Sequence, residues 1–119
     1  MMQKSYYQVI EEIQKQYSGF QALVLCDRES NILASAGCES YDKETIATIV
    51  SSTILMIENH LEDLGEKDWQ QVIINGKDNI VVLRLISQNK VILVLANHDK
   101  KIETLSQEVQ KIASMLEGG

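Results

Sequence analysis

Two short runs in this chain, Ala22–Cys26 and Val91–Ala96, are apolar at every position. Successive side chains of a strand point to opposite faces, so a strand with one face in water alternates apolar and polar residues. A strand without alternation is covered on both faces. Each run is only strand-length and stands beside polar turn residues, Asp27-Arg28-Glu29-Ser30-Asn31 after the first and Gln88-Asn89 before the second. The chain therefore requires a sheet with these two strands near its middle and helices on both of its faces.

Three segments supply that cover. From Gln3 to Tyr17, the residues Tyr6, Ile10, Ile13 and Tyr17 recur at spacings of four, three and four, one stripe of an amphipathic helix that Ser18 and Gly19 stop. Asp42 to Leu64 contains neither proline nor glycine; Asp42 suits the N-cap and Gly65 the C-terminal turn. Its apolar residues, Ile46, Ile49, Val50, Ile54, Met56, Ile57, Leu61 and Leu64, spread over about half the circumference, wider than the roughly 100° stripe of an ordinary surface helix. This helix is expected to have more than one neighbour, with Leu55 outside even the wide arc. The last helix is expected from Asp99, as its cap, to Leu116, with Ile102, Leu105, Val109, Ile112 and Leu116 on one face. The closing Gly118 and Gly119 read as a frayed end.

The remaining strands are Ile32–Ala36, which forms a hairpin with the first apolar run, and Trp69–Asn75 and Asn79–Ser87, joined through Gly76-Lys77-Asp78. The order is α-β-β-α-β-β-β-α. It predicts a single α/β (α+β) domain over residues 1–119, with a five-stranded, mainly antiparallel sheet. The long helix lies on one face, the two terminal helices on the other, and Ile32–Ala36 and Trp69–Asn75 at the edges.

Charge narrows the function. Eleven Lys and Arg against seventeen Asp and Glu give a formal charge of −6, opposite to the footprint of a nucleic-acid binder or an anionic-membrane binder. No apolar run approaches the roughly 18 residues of a membrane span. Cys26 reads as a small buried hydrophobe and Cys38 as a loop thiol, both reduced. The expected setting is the cytoplasm, without membrane insertion.

Chemistry is sparse. His60 and His98 are the only histidines, too few for a metal site; His60 is placed on the apolar side of the long helix and His98 in the turn before the last one. No phosphate loop and no Gly-x-Ser-x-Gly elbow occurs. Asn75-Gly76-Lys77-Asp78 resembles the guanine-reading motif of GTPases, but without its accompanying phosphate loop it reads as a hairpin turn. Arg84 is the one charge inside an apolar strand, placed at the sheet edge or beside an acid. Glu58, Glu62, Asp63, Glu66 and Asp68 read as a solvated acidic face. No catalytic, cofactor-binding or metal-binding residue is assigned, and the chain is expected not to be an enzyme.

These stretches together resemble the roadblock family, the dynein roadblock light-chain and MglB-like domains. The resemblance lies in Gly19–Gly37 (GFQALVLCDRESNILASAG), the long helix ending LEDLG, the strands of WQQVIINGKDNIVVLRLISQNKVILVLAN and the closing helix. Asn31 departs from the pattern, which often has a turn glycine there; asparagine also tolerates positive φ. The resemblance implies a dimer in which the third strand pairs with its mate and the long helices lie side by side. It also implies a role beside a Ras-like small GTPase, as scaffold or activator. The residues expected at the homodimer interface are Ile49, Met56, Trp69, Gln71 and Ile73. Those expected against the partner are Ser51, Leu55, Glu58, Asn59 and Glu62. The alternative role is a structural adaptor holding a helical segment of a larger complex.

Overall fold

The computed structural model describes residues 5–37, 39–66 and 68–117. Gln3, Cys38 and the terminal glycines, about which the sequence made specific suggestions, lie outside the described residues. The elements are α1 (Tyr6–Gln16), β1 (Phe20–Asp27), β2 (Ile32–Ala36), α2 (Lys43–Asp63), β3 (Gln71–Asn75), β4 (Asn79–Ser87), β5 (Lys90–Asn97) and α3 (Ile102–Glu117). The sheet runs β2-β1-β5-β4-β3, with every neighbouring pair antiparallel. As expected, the two continuously apolar runs occupy interior strands and β2 and β3 are the edges.

The apolar runs divide their side chains between two cores. Leu23, Leu25, Ile92, Val94 and Ala96 face α1 and α3, meeting Ile10, Ile13, Leu105, Val109 and Ile112. Ala22, Val24, Cys26, Val91 and Leu93 face the other way, toward Val50 and Ile54 of α2. The long helix thus covers one face and the terminal helices the other.

Local chemistry sets the boundaries. Ser5 caps α1 in a capping box, its hydroxyl accepting from the Gln8 N–H while the Gln8 side chain accepts from the Ser5 N–H. Asp42 caps α2 by accepting from the Glu44 N–H at 3.1 Å. At the other end Gly65 takes φ +81°; its N–H donates to the Glu62 carbonyl and that of Glu66 to the Leu61 carbonyl, the two bonds of a Schellman motif.

Three local details differ from the sequence reading. In the β1–β2 turn the positive φ falls on Ser30, not Asn31. The Asp27 carboxylate accepts from both the backbone and the side-chain amide of Asn31, which commits Asn31 to the hairpin. Asp99 does not cap α3: its N–H donates to the Asn97 side chain in a turn of its own, and the helix starts at Ile102. The third strand begins at Gln71, two residues after Trp69. His60 is exposed, as are Ile49 and Met56 on the same arc of α2.

Candidate interaction surface

α2 is 21 residues long, yet only Ala47, Val50 and Ile54 are fully buried. Its outward side carries Ile49, Leu55 and Met56 at 53%, 63% and 54% exposure. From Thr45 to Ile57 the helix has no charged residue, about three turns with only small polar and apolar side chains. Helices that face water usually carry charge on that side. Charge returns at the ends, with Lys43 and Glu44 before the stretch and exposed Glu62, Asp63, Glu66 and Asp68 after it.

One flank of α2 is tied to its own sheet. The Ser51 hydroxyl donates to the Arg28 carbonyl at 3.0 Å and shares a second hydrogen bond with Ser30. One turn on from Leu55, Glu58 holds Arg28 in a bidentate pair, at 3.0 Å to Nη1 and 2.8 Å to Nη2, and accepts from the Trp69 indole at 3.3 Å. The Arg28 hydrogen bond, chiefly, keeps the Glu58 carboxyl below its ordinary pKa against the opposing effect of burial. Trp69 itself is buried in the α2-side core. Of the residues expected against a partner, then, Leu55, Asn59 and Glu62 face solvent, whereas Ser51 and Glu58 are half-buried and brace α2 on the β1–β2 turn. Sequence periodicity groups all five on one stripe; it carries no signal that Arg28, distant in sequence, reaches Glu58.

The second open feature is β3. Gln71 and Ile73 point to the α1/α3 face, where the Gln71 amide donates to the Ser106 hydroxyl at 2.7 Å and Ile73 packs on the core. Val72 points to the α2 face, as does Ile74, paired with Val81 and 49% exposed. α2 packs chiefly on β1 and β2. Val72, Val81, Leu85 and Leu95 are consequently only half-buried, and the sheet half under β3 and β4 has incomplete cover. Of the residues expected in a dimer, Ile49 and Met56 lie on the open side of α2, and Gln71 and Ile73 on the edge strand. Trp69 sits beneath α2.

Little here supports bond-making chemistry. Burial, followed by the charge of Asp27, pushes the Cys26 thiol up to about 11, so it is no nucleophile at neutral pH. Among the described residues no group of His, Cys, Asp or Glu could hold a metal ion, and no helix is long and apolar enough to cross a membrane. Arg84 lies half-buried on the α1/α3 face, directly opposite Gln71; its Nε and the Gln71 Oε1 are buried without a hydrogen-bond partner. His98 closes the β3–β4 hairpin against the β5–α3 turn through the Gly76 carbonyl at 2.8 Å, and the Gly76 N–H donates to the Asn79 carbonyl. The Asn-Gly-Lys-Asp string is therefore a hairpin turn.

Solved structures share this architecture. Myxococcus xanthus MglB superposes with a TM-score of 0.86 at 14% identity, covering 94% of this chain and 91% of that one. A Roadblock/LC7 domain from Streptomyces avermitilis gives 0.85 at 12% identity, with 95% of each chain covered. An MglB with a tetrameric arrangement gives 0.81 at 18% identity, covering 98% and 91%. No curated protein matches the sequence. The family model for the Roadblock/LC7 domain matches residues 7–96, most of the chain and all of the sheet but Asn97 at the end of β5, and the protein belongs to the Roadblock/LC7 family.

Proposed function

We propose that this protein is a cytoplasmic, homodimeric interaction module that binds and regulates a Ras-like small GTPase, as scaffold or activator. The observation that carries the reading is the exposed, uncharged stretch of α2, with Leu55 prominent on it and acidic residues beyond its C-terminal end. An apolar centre with a polar rim is the anatomy of a protein interface. The acidic end favours a partner with basic residues around an apolar patch. Membership of the Roadblock/LC7 family and the likeness to an MglB of tetrameric arrangement support self-association and protein partners. Leu55, Asn59 and Glu62 form the contact itself, with Ser51 and Glu58 holding the helix in place beneath them. Ile49 and Met56, with Gln71 and Ile73 of β3, belong to the dimer contact.

Calorimetry with candidate GTPases loaded with GTP or GDP tests the proposal. Binding that depends on the nucleotide is the expected result. Nucleotide-independent capture of a helical peptide in its place would assign the protein to structural adaptors.

A further inference from the structure

We infer that Arg84 and Gln71 form a second docking site, on the face opposite α2, which takes an aspartate or glutamate from an extended segment of a protein partner. The site is independent of the dimer and of the GTPase contact proposed above.

Arg84 stands where a charge is costly. Its same-face neighbours along β4, Val82 and Ile86, and its cross-strand partner on β5, Ile92, are buried apolar residues. A charge in such surroundings is normally matched by an opposite charge and by hydrogen bonds. Arg28 and Lys100 follow that rule, paired with Glu58 and Glu108. Arg84 does not. Among the described residues no carboxylate pairs with it, and its buried Nε donates to none of them. Directly opposite, the Gln71 amide is held by its donor side, Nε2 to the Ser106 hydroxyl at 2.7 Å. That bond fixes the amide and leaves Oε1 a buried acceptor without a donor. The other orphaned atom among the described residues, the Arg28 Nε, belongs to a guanidinium already paired with Glu58.

The two orphaned atoms specify the occupant. The Arg84 N–H groups call for a negatively charged pair of acceptors, which a carboxylate supplies in the side-on, two-bond geometry of a guanidinium. The Gln71 Oε1 calls for a donor beside it. An acidic residue in an extended chain offers both, the carboxylate from its side chain and the donor from a backbone N–H. Water supplies a donor and an acceptor but no charge, and a free carboxylate supplies charge but no donor. Because β3 is the last strand of the sheet and Arg84 and Gln71 are half-buried, the approach runs over the sheet edge beside α3. Half-buried Ile73 and Ile102 on the same face give the residues flanking the acid apolar contact. A small rotation of the Arg84 side chain brings its Nε–H to the entering carboxylate. A net charge of −6 does not steer such a segment inward, so the contact is short-range and made by fit. The uncharged stretch of α2 lies on the other face, and both surfaces can be occupied together.

Nuclear magnetic resonance on the full chain tests the site, read at the Arg84 Nε–H and the Gln71 side-chain amide. The probes are a capped pentapeptide with aspartate between two valines, the same peptide with asparagine in its place, and acetate. The expected result is a saturable shift of both signals with the aspartate peptide, which should bind at least about ten-fold tighter than either the asparagine peptide or acetate. Gln71→Glu sets a carboxylate of the protein's own opposite Arg84; it should raise the melting temperature and abolish the response to the peptide. Arg84→Lys keeps the charge without the fork and should also lose the response. No shift with the aspartate peptide at millimolar concentration overturns the inference and leaves water as the partner of both atoms. An equal response to acetate makes this a free-anion site and overturns the assignment to a protein segment. A response that survives both substitutions places the peptide elsewhere on the molecule. Should Arg84→Lys fail to fold, Gln71→Glu decides alone: a variant no more stable than the parent, still answering to the peptide, shows that Arg84 does not await a carboxylate.

Discussion

At Gly37 the chain leaves β2 with φ +73°, and a Cβ there would collide with the Gln21 carbonyl and the Gln14 side chain. Backbone strain and a close approach both demand glycine. Gly37→Ala is expected to lower stability by roughly 1–3 kcal/mol in urea unfolding, the range for a residue forced into a disfavoured φ/ψ region. Gly65→Ala shares the positive φ but meets open space, so it should cost less. The Arg28–Glu58–Trp69 contact makes a second prediction. Because the folded state depresses the Glu58 pKa, the pair's contribution is present above the ordinary carboxylate value of 4.5 and is lost as pH falls through the lower folded value. Both side chains are about one-third exposed, 34% and 33%, so screening keeps the contribution to roughly 1 kcal/mol or less. Arg28→Met should flatten the stability loss between pH 5 and the acid limit by about that amount. Trp69, the only tryptophan, provides the fluorescence signal. An unchanged acid profile in Arg28→Met would show that the ion pair does not govern it.

At the scale of the elements, α2 is where apolar periodicity and packing part company. Eight apolar positions spread over half its circumference promise a broadly buried helix, but only Val50 and Ile54 of that set are fully buried in the protomer. Ile49 and Met56 are left open, and Leu55 stands apart from them on the outward side. Leu55→Asp is expected to weaken partner binding by roughly 1–3 kcal/mol in titration while leaving dimer mass and thermal stability nearly unchanged. If the same variant breaks the dimer and Glu62→Lys leaves partner binding intact, Leu55 belongs to the dimer contact instead. Much of this was legible in the sequence: strand order at the centre and edges, both faces of cover, the Asp42 cap and the Gly65 stop all follow from patterns within a few residues. What escaped it depends on contacts distant in sequence or on competing side chains. Glu58 looks solvated until the β1–β2 turn brings Arg28 to it. Trp69 looks like a strand residue until the linker turns it under α2. Asp99 looks like a cap until Asn97 takes its N–H. Periodicity also placed Ser51 and Glu58 beside Leu55 correctly, but it could not say which members of the stripe already had partners.

Taken whole, the protomer has two unequal cores. Two helices cover the α1/α3 face across the sheet, while α2 alone covers the other and packs chiefly on β1 and β2. Val72 and Ile74 of β3, Val81 of β4 and Leu95 of β5 keep contact with water that an apolar surface is better without. A free edge strand beside such a strip invites pairing, and β3 lacks the lysines and prolines that usually protect an edge. The asymmetry predicts where a charge does most damage. Ile74→Asp adds its carboxylate on the exposed side of the strip, where the isolated protomer leaves the side chain 49% open and can hydrate the charge. Protomer folding should therefore change little, with circular dichroism and core amide protection preserved. In the proposed dimer the same carboxylate would enter the apolar contact twice, once from each copy, without a base among the residues of that strip. Dimerisation should weaken by roughly 2 kcal/mol or more for each copy, read as a shift toward the protomer mass in light scattering across a dilution series. Leu55→Asp, on the outward side of α2, should leave that series unchanged. A stable Ile74→Asp dimer of unaltered affinity would place the interface elsewhere on the molecule, and the incompletely covered strip would then be the surface to examine for the partner.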